Sequence, residues 1–441
     1  MDSTDVTKAA FIPGSAPFHV VGAEGAYLVA DDGRRILDAG GGAIVTGIGH
    51  GRSEVAAAAA QALKRLTYVV PTFMTDERSR LVERLRSSWL PSELSQCTFV
   101  SGGSESVEAA IRLARQHHVL AGRPGRWKVI GTDLSYHGTT IGTLAAGGHE
   151  ARRSGFGELL LPFPKTPAPY SLAAALGVGE DTRQRAVDEL ERVIVAEEPE
   201  TVAAFICEPI GGAASGVGLP PAGWWPGVME VCRRHDVLVI ADEVMTGFGR
   251  TGKRFGIEHF GVVPDILIGG KGLAAGYAPV GGLFTTERVL DPLRRAGEQP
   301  MFFTFDGHPA SLAVADKVLE IMEREDLVNR SASMGELLRG RLEEEFNDHP
   351  HVAQIRGVGS FIGLELVQDR DSLEKFPVAD AVGMNVTVEG LKRGAWLYPG
   401  GTARARDTVM LGPPFTIERQ DVDLLVDVLR DSIDAATRLS R

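Results

Sequence analysis

Short β-branched runs alternate with longer helical stretches through the middle of this chain, from about residue 55 to residue 310. The clearest runs are WKVIGT, VAAFICEP, DVLVIADEV and DILIGGK. Such alternation predicts a mostly parallel sheet covered by helices on both faces. Ahead of it, residues 18 to 38 read as two apolar stretches joined by Asp31-Asp32-Gly33, the pattern of a β-hairpin with a tight turn. After residue 311 come ASLAVADKVLEIM, a strand pair around 352 to 367 and a closing helix. In that helix Val422, Leu425, Val426, Leu429 and Ile433 share one face while Asp423, Asp427 and Arg430 point away. The expected fold class is α/β: a large, mostly parallel-sheet domain with helices on both faces over 56–310, and a smaller α+β domain built from both termini, 1–55 and 311–441.

Composition narrows what such a fold does. At 441 residues, 44% hydrophobic and 24% charged, the chain has the balance of an ordinary globular protein of more than one domain. Its net charge of -12 repels a phosphate backbone, which argues against nucleic acid binding. The longest apolar stretch, around Ala56 to Leu63, is too short and Ala-rich to cross a bilayer, and MDSTDVTKAA lacks the basic-then-apolar pattern of a signal. A cytoplasmic location with no membrane contact is the expectation. Cys97, Cys207 and Cys232 have neither Cys-x-x-Cys spacing nor His partners at ligand spacing, so no disulfide framework and no metal site is expected.

Three polar residues stand at the carboxyl ends of three expected strands: Glu208 after VAAFIC, Asp242 after VLVIA and Lys271 after ILIGG. Open α/β sheets place their ligands there. One such residue alone reads as a strand terminator; three together read as a site. Lys271 is framed by glycines that let backbone approach a ligand. A lysine of ordinary pKa, about 10.4, is neutral only about once in 2,500 molecules at pH 7, so a nucleophilic role needs a depressed pKa or a permanent imine. Asp242 follows an apolar run and enters the interior at a cost unless it meets a cation, such as a protonated pyridine nitrogen.

VSGGSESVEAAIRLAR places Ser101, Gly102, Gly103 and Ser104 just before a helix, where free amides and the positive dipole end suit a phosphate. Tyr136-His137-Gly138 follows the strand WKVIGTDL and sets an aromatic ring near the same sheet edge, where it can stack on a planar cofactor.

These residues carry a resemblance. Over nearly its whole length the chain resembles the class III pyridoxal-phosphate aminotransferases, of the aspartate aminotransferase-like fold. The matching segments include YLVADDGRRILDAGGG, SGGSESVEAAIRLAR, YHG, EPI, ADEVMTGFGRTG, PDILIGGKGLAAGYAPVGG, FFTFDGHPASLAVA and LGPPF. The resemblance implies pyridoxal 5'-phosphate held as a Schiff base on Lys271, with Asp242 on the pyridine nitrogen and Val244 under the ring. It implies Tyr136 on the other face with His137 beside it, Gly103 and Ser104 on the phosphate, and Glu208 near the substrate end. It further implies a homodimer in which Thr304 reaches the neighbouring subunit's phosphate, and ping-pong transfer of an amino group from an amine or amino acid donor to a keto acid acceptor.

The chain also departs from the family. Met245 stands where Gln is frequent, and Ile44 stands where a Trp often follows the hairpin, which would widen the substrate pocket. The arginine pattern before PPF is altered to TARARDTVMLGPPF. Arg404 is the preferred carboxylate partner, because Arg406 adjoins Asp407 and can pair with it.

The same residues admit rival readings. GFGRTG satisfies a dinucleotide-binding pattern but is preceded by an acidic DEV and followed by no apolar helix, so it reads as a loop supporting Asp242. GGKG lacks the spacing of a P-loop. His117-His118 reads as a solvated helix face. A racemase, epimerase or decarboxylase of the same fold could use the same lysine, aspartate and phosphate loop, and a catalytically silent relative is the reading from another class.

Overall fold

Alternate residues of three central strands face two different hydrophobic cores. Strands β7 (Val202–Cys207), β8 (Leu238–Asp242) and β9 (Ile266–Gly269) are buried at every position. Phe205, Val239 and Leu267 enter one core with Trp224 and Trp225, whereas Ile206, Ile240 and Ile268 enter the other with Val107 and Ala110. A period of two projects alternate side chains to opposite faces, so a run apolar throughout needs helices on both. Truncating one of them, Ile240 to Ala for example, should cost about 2–5 kcal/mol.

The structure, a computed structural model, describes residues 18–177 and 182–438. The amino-terminal stretch read above for targeting signals lies outside them. Besides β7, β8 and β9, the large sheet contains β4 (Gln96–Val100), β5 (Lys128–Thr132), β6 (Lys165–Thr166) and β10 (Gly281–Thr285). Their order is β4-β10-β9-β8-β7-β5-β6, parallel from β9 to β6, with β10 antiparallel to both its neighbours.

The amino-terminal strands β1 (Val20–Glu24), β2 (Tyr27–Ala30) and β3 (Arg35–Leu37) form a three-stranded antiparallel sheet. Gly33, at φ +86, makes the β2–β3 turn that the Asp-Asp-Gly signal indicates. Towards the carboxyl end, β11 (Val352–Val358), β12 (Phe361–Leu366), β13 (Tyr398–Gly400) and β14 (Thr408–Leu411) form a second antiparallel sheet in the order β11-β12-β14-β13. Leu37 and Ala39 share one core with Leu364, Val409, Leu425 and Leu429, so the two ends of the chain build one unit.

Helices α1 (Ser53–Arg65), α2 (Asp76–Arg84), α3 (Gly103–Leu120), α4 (Pro309–Arg324), α5 (Leu327–Phe346) and α6 (Arg419–Arg438) matter most for the site and its frame. The divisions drawn at 55/56 and 310/311 fall inside α1 and α4. Both helices reach the core of the large sheet, through Val55 and through Leu312, Val318 and Leu319.

His117 and His118 correct the expectation of a solvated helix face, being 4% and 0% exposed. A second layer covers the end of α3, and one nitrogen of each ring is bonded to backbone: His117 Nδ1 donates to Val289 O at 2.9 Å and His118 Nε2 to Ala203 O at 2.9 Å. Among the described residues no cluster of His, Cys, Asp or Glu could hold a metal ion, and no helix is long and apolar enough to cross a membrane.

Candidate active site

Because β5, β7, β8 and β9 run parallel, their carboxyl ends open on the same edge of the sheet. The turn after β5 delivers Tyr136 and His137, the residue after β7 is Glu208, β8 ends on Asp242, and Lys271 stands two residues beyond β9. All five line one cavity of about 190 Å³, together with Gly103, Ser104 and Val244. Eight of the residues singled out from sequence are thus brought together. Gly138 and Met245 complete the lining. The sequence reading noted Met245 only as a departure and Gly138 only as the glycine after a histidine.

Both carboxylates in this cavity accept a hydrogen bond on each oxygen. His137 Nδ1 donates to Asp242 Oδ2 at 2.7 Å, and Asp242 Oδ1 accepts the Val244 amide at 3.0 Å. Glu208 Oε2 accepts the Tyr136 amide at 3.2 Å and Oε1 the Gly212 amide at 2.9 Å. Burial, with Asp242 adding, pushes the Glu208 carboxyl up to about 7 against the pull of His137 and those two amides. The Lys271 side chain has no hydrogen bond or ion pair among the described residues, and burial lowers its pKa despite Asp242 and Glu208 nearby. Its φ of +33 is in the left-handed region that non-glycine residues rarely adopt, and the glycines on either side accommodate the turn.

At the helix start, Gly103 has no room for a side chain: a Cβ there would stand 2.8 Å from Val244 Cγ1. Ser104 Oγ accepts the Thr139 amide at 3.3 Å, joining the first turn of α3 to the turn that carries Tyr136 and His137. His137 Nε2 is buried without a partner among the described residues.

Three candidates lie elsewhere. Ile44, 2% exposed, packs behind the cavity with Met245, Met410 and Phe361 and does not line it. Arg404 donates to both oxygens of Asp133, at 2.7 and 3.0 Å, on the exposed side of the turn after β5. Thr304 is exposed and outside the cavity of its own chain. The GFGRTG loop packs Phe248 against Phe284 and the end of β9. Its Arg250, fully buried, donates to Pro413 O at 2.7 Å and Thr46 O at 3.2 Å, tying the large sheet to both ends of the chain.

The sequence profile described as "Aminotransferase class-III" matches residues 12–433. An uncharacterized aminotransferase of Schizosaccharomyces pombe is 36% identical over 428 residues, covering 96% of this chain and 93% of that one. A putrescine–pyruvate aminotransferase of Pseudomonas aeruginosa is 33% identical over 417 residues, covering 93% of this chain and 89% of that one. The omega transaminase of Pseudomonas jessenii, solved in complex with PMP, superposes with a TM-score of 0.92 at 31% identity, covering 99% of this chain and 98% of that one. These likenesses favour transamination over racemisation or decarboxylation on the same fold. With the match running almost from end to end, the chain belongs to the class III aminotransferases, enzymes of pyridoxal-phosphate-dependent transamination.

Proposed function

We propose that this protein moves an amino group from an amine donor to a keto acid acceptor, with pyridoxal 5'-phosphate bound at Lys271. One observation carries the reading: a half-buried lysine whose side chain has no partner among the described residues, beside two buried carboxylates, at the carboxyl edge of a parallel sheet.

The residues present fit that cofactor. Gly103 and Ser104 at the positive end of an 18-residue helix suit its phosphate. Val244 and Tyr136 would lie on the two faces of its ring. Asp242 would meet the ring nitrogen, where a carboxylate about 4 Å from a cation at an effective dielectric near 20 contributes on the order of 4 kcal/mol to keeping it protonated. His137 holds the second oxygen of that carboxylate, so Asp242 presents a fixed orientation. When bound, the cofactor supplies the electron sink that takes up the pair left by a broken C–H bond. Lys271 Nζ, its pKa lowered by burial, would anchor the cofactor and carry a proton to and from the reacting carbon.

The cavity lining offers apolar Val244 and Met245 but no arginine. That favours a donor without a fixed carboxylate, in keeping with the relative named for putrescine and pyruvate. Arg404 would read the acceptor's carboxylate by leaving Asp133, since an arginine fork suits either partner. Ile44 would shape the pocket indirectly, through Met245.

A homodimer completes the reading. Thr304 sits beside Met301, Phe302 and Phe305, which are 69%, 50% and 59% exposed, and Phe73 and Met74 are 62% and 70% exposed. So much bare apolar surface marks a covered face. There Thr304 would serve the phosphate of a second copy. A cytoplasmic enzyme acting on small molecules is consistent with the acidic charge.

The test is a half-reaction. Putrescine added alone should convert the bound cofactor's absorbance to that of its amine form, pyruvate should restore it, and borohydride reduction should label Lys271. A label on another lysine, or no conversion without an acceptor present, overturns the reading.

A further inference from the structure

One of the two amides on Glu208 belongs to a loop that the large sheet does not hold. Gly211 and Gly218 pair through both backbone bonds, at 2.9 and 3.0 Å, and close a loop whose Gly212 amide reaches Glu208 Oε1 at 2.9 Å. A Cβ on Gly212 would stand 2.8 Å from both Glu208 Oε1 and Met245 Sδ, so the loop backbone lies directly against the cavity wall. The far edge of the loop is held from the carboxyl-terminal unit. Ala213 O and Ala214 O accept the amides of Gly401 and Thr402 at 2.8 and 2.9 Å. Ser215 O and Val217 O accept Nη2 and Nε of Arg356 at 3.1 and 3.0 Å.

Arg356 is itself fixed on all sides. It is 4% exposed, donates to Glu365 Oε2 at 2.6 Å and lies 4.5 Å from the centre of the Tyr170 ring. Glu365 also accepts Tyr170 Oη at 2.6 Å and Lys375 Nζ at 2.6 Å. A guanidinium with one edge on a carboxylate and another on two carbonyls of one loop sets that loop's position.

We propose that Arg356 is a positioning residue for Glu208: by fixing the carbonyl edge of the 211–218 loop, it keeps the Gly212 amide on the carboxylate. A desolvated carboxylate holds its charge only through donors aimed at it. Around Glu208 stand Tyr136 and His137 from the turn after β5, Asp242 from β8, Lys271 beyond β9 and Cys207 on its own strand. Burial and Asp242 oppose the charged form while His137 and the two amides favour it, and the Gly212 amide is one of the donors that hold the charge. The small domain thereby controls the protonation of a group inside the cavity through Arg356. This goes beyond the transamination reading, and its first readout needs no turnover.

The test is hydrogen exchange across residues 209–218 in the full-length protein, cofactor-free and cofactor-saturated. Arg356→Lys keeps the charge beside Glu365 but offers one nitrogen where two carbonyls need donors. R356M/E365M/K375M replaces the buried charges with apolar side chains of similar volume, a change that in general leaves stability unharmed. Either variant should speed exchange at Gly212 about tenfold, as expected for the loss of one well-made hydrogen bond. In the cofactor-free protein the titration of the Glu208 carboxyl, followed by its infrared carboxyl band against a Glu208→Gln control, should move to higher pH, because a carboxylate losing a donor binds its proton more tightly. The triple variant should move it more than Arg356→Lys. Wild-type exchange and an unmoved titration in Arg356→Lys, at unchanged melting temperature, would overturn the proposal even if the triple variant did not fold.

Discussion

His137 Nδ1 and Asp242 Oδ2 lie 2.7 Å apart with both side chains buried. The pair orients the carboxylate, and the Val244 amide on its other oxygen leaves the group little freedom to turn. Asp242→Asn keeps the shape and loses the charge. The variant should fold and retain cofactor yet react with amine orders of magnitude more slowly, each 1.36 kcal/mol of lost stabilisation being a factor of about ten. Stopped-flow half-reactions measure this; near-normal rates would remove Asp242 from its proposed role.

Lys271 imposes a cost on the cofactor-free fold. Its pKa is lowered by burial, so between that lowered value and about 10.4 the unfolded chain binds the extra proton and stability rises with pH. Cofactor-free Lys271→Met should melt above cofactor-free wild type at neutral pH, and the gap should close as pH approaches about 10. Calorimetry of the two apoproteins across pH decides it: a wild type more stable at neutral pH would contradict the expectation.

Glu208 gives the opposite slope. Its carboxyl is raised to about 7, above the ordinary value of about 4.3, so the folded state binds the extra proton in that window and stability falls as pH rises through it. Glu208→Gln removes the dependence. Denaturant midpoints should show the variant gaining on wild type from about pH 4.3 to about pH 7, by up to about 4 kcal/mol. Parallel curves over that range would show that Glu208 keeps an ordinary pKa.

Arg404 and Asp133 form an exposed pair, and such pairs contribute about 0.2–1 kcal/mol, little enough for a substrate to break. Arg404→Ala should raise the Michaelis constant for the keto acid and leave that for a carboxylate-free amine unchanged. Asp133→Asn should lower the former by loosening the arginine while still accepting the Ala168 amide, now at 2.7 Å. Equal effects on both substrates would show that Arg404 does not read the carboxylate.

Phe305 and Thr304 test the dimer from one loop. Phe305→Asp places a charge on the proposed covered face and should yield monomers by light scattering, with weaker cofactor retention, since assembly and phosphate binding are linked. A fully active monomer would refute the shared site.

The sequence alone placed the strands that carry the chemistry. Continuous apolar runs ending in Glu208, Asp242 and Lys271 are local signals, and a parallel sheet delivers all such ends to one edge whatever the connecting loops do. The glycines around Lys271 and Gly103 were legible for the same reason, because a missing Cβ is a local property. Tertiary structure decided the rest. His117 and His118 have polar neighbours in sequence and are buried only because a second layer covers the end of α3. Ile44 lies in a segment whose pattern cannot say whether it faces the cavity or the apolar cluster behind Met245. Arg404 found Asp133, and Arg356 found the 211–218 loop, across 271 and 139–141 residues of chain respectively. Pairings at such separations depend on how the units pack, and neither hydropathy nor spacing encodes them.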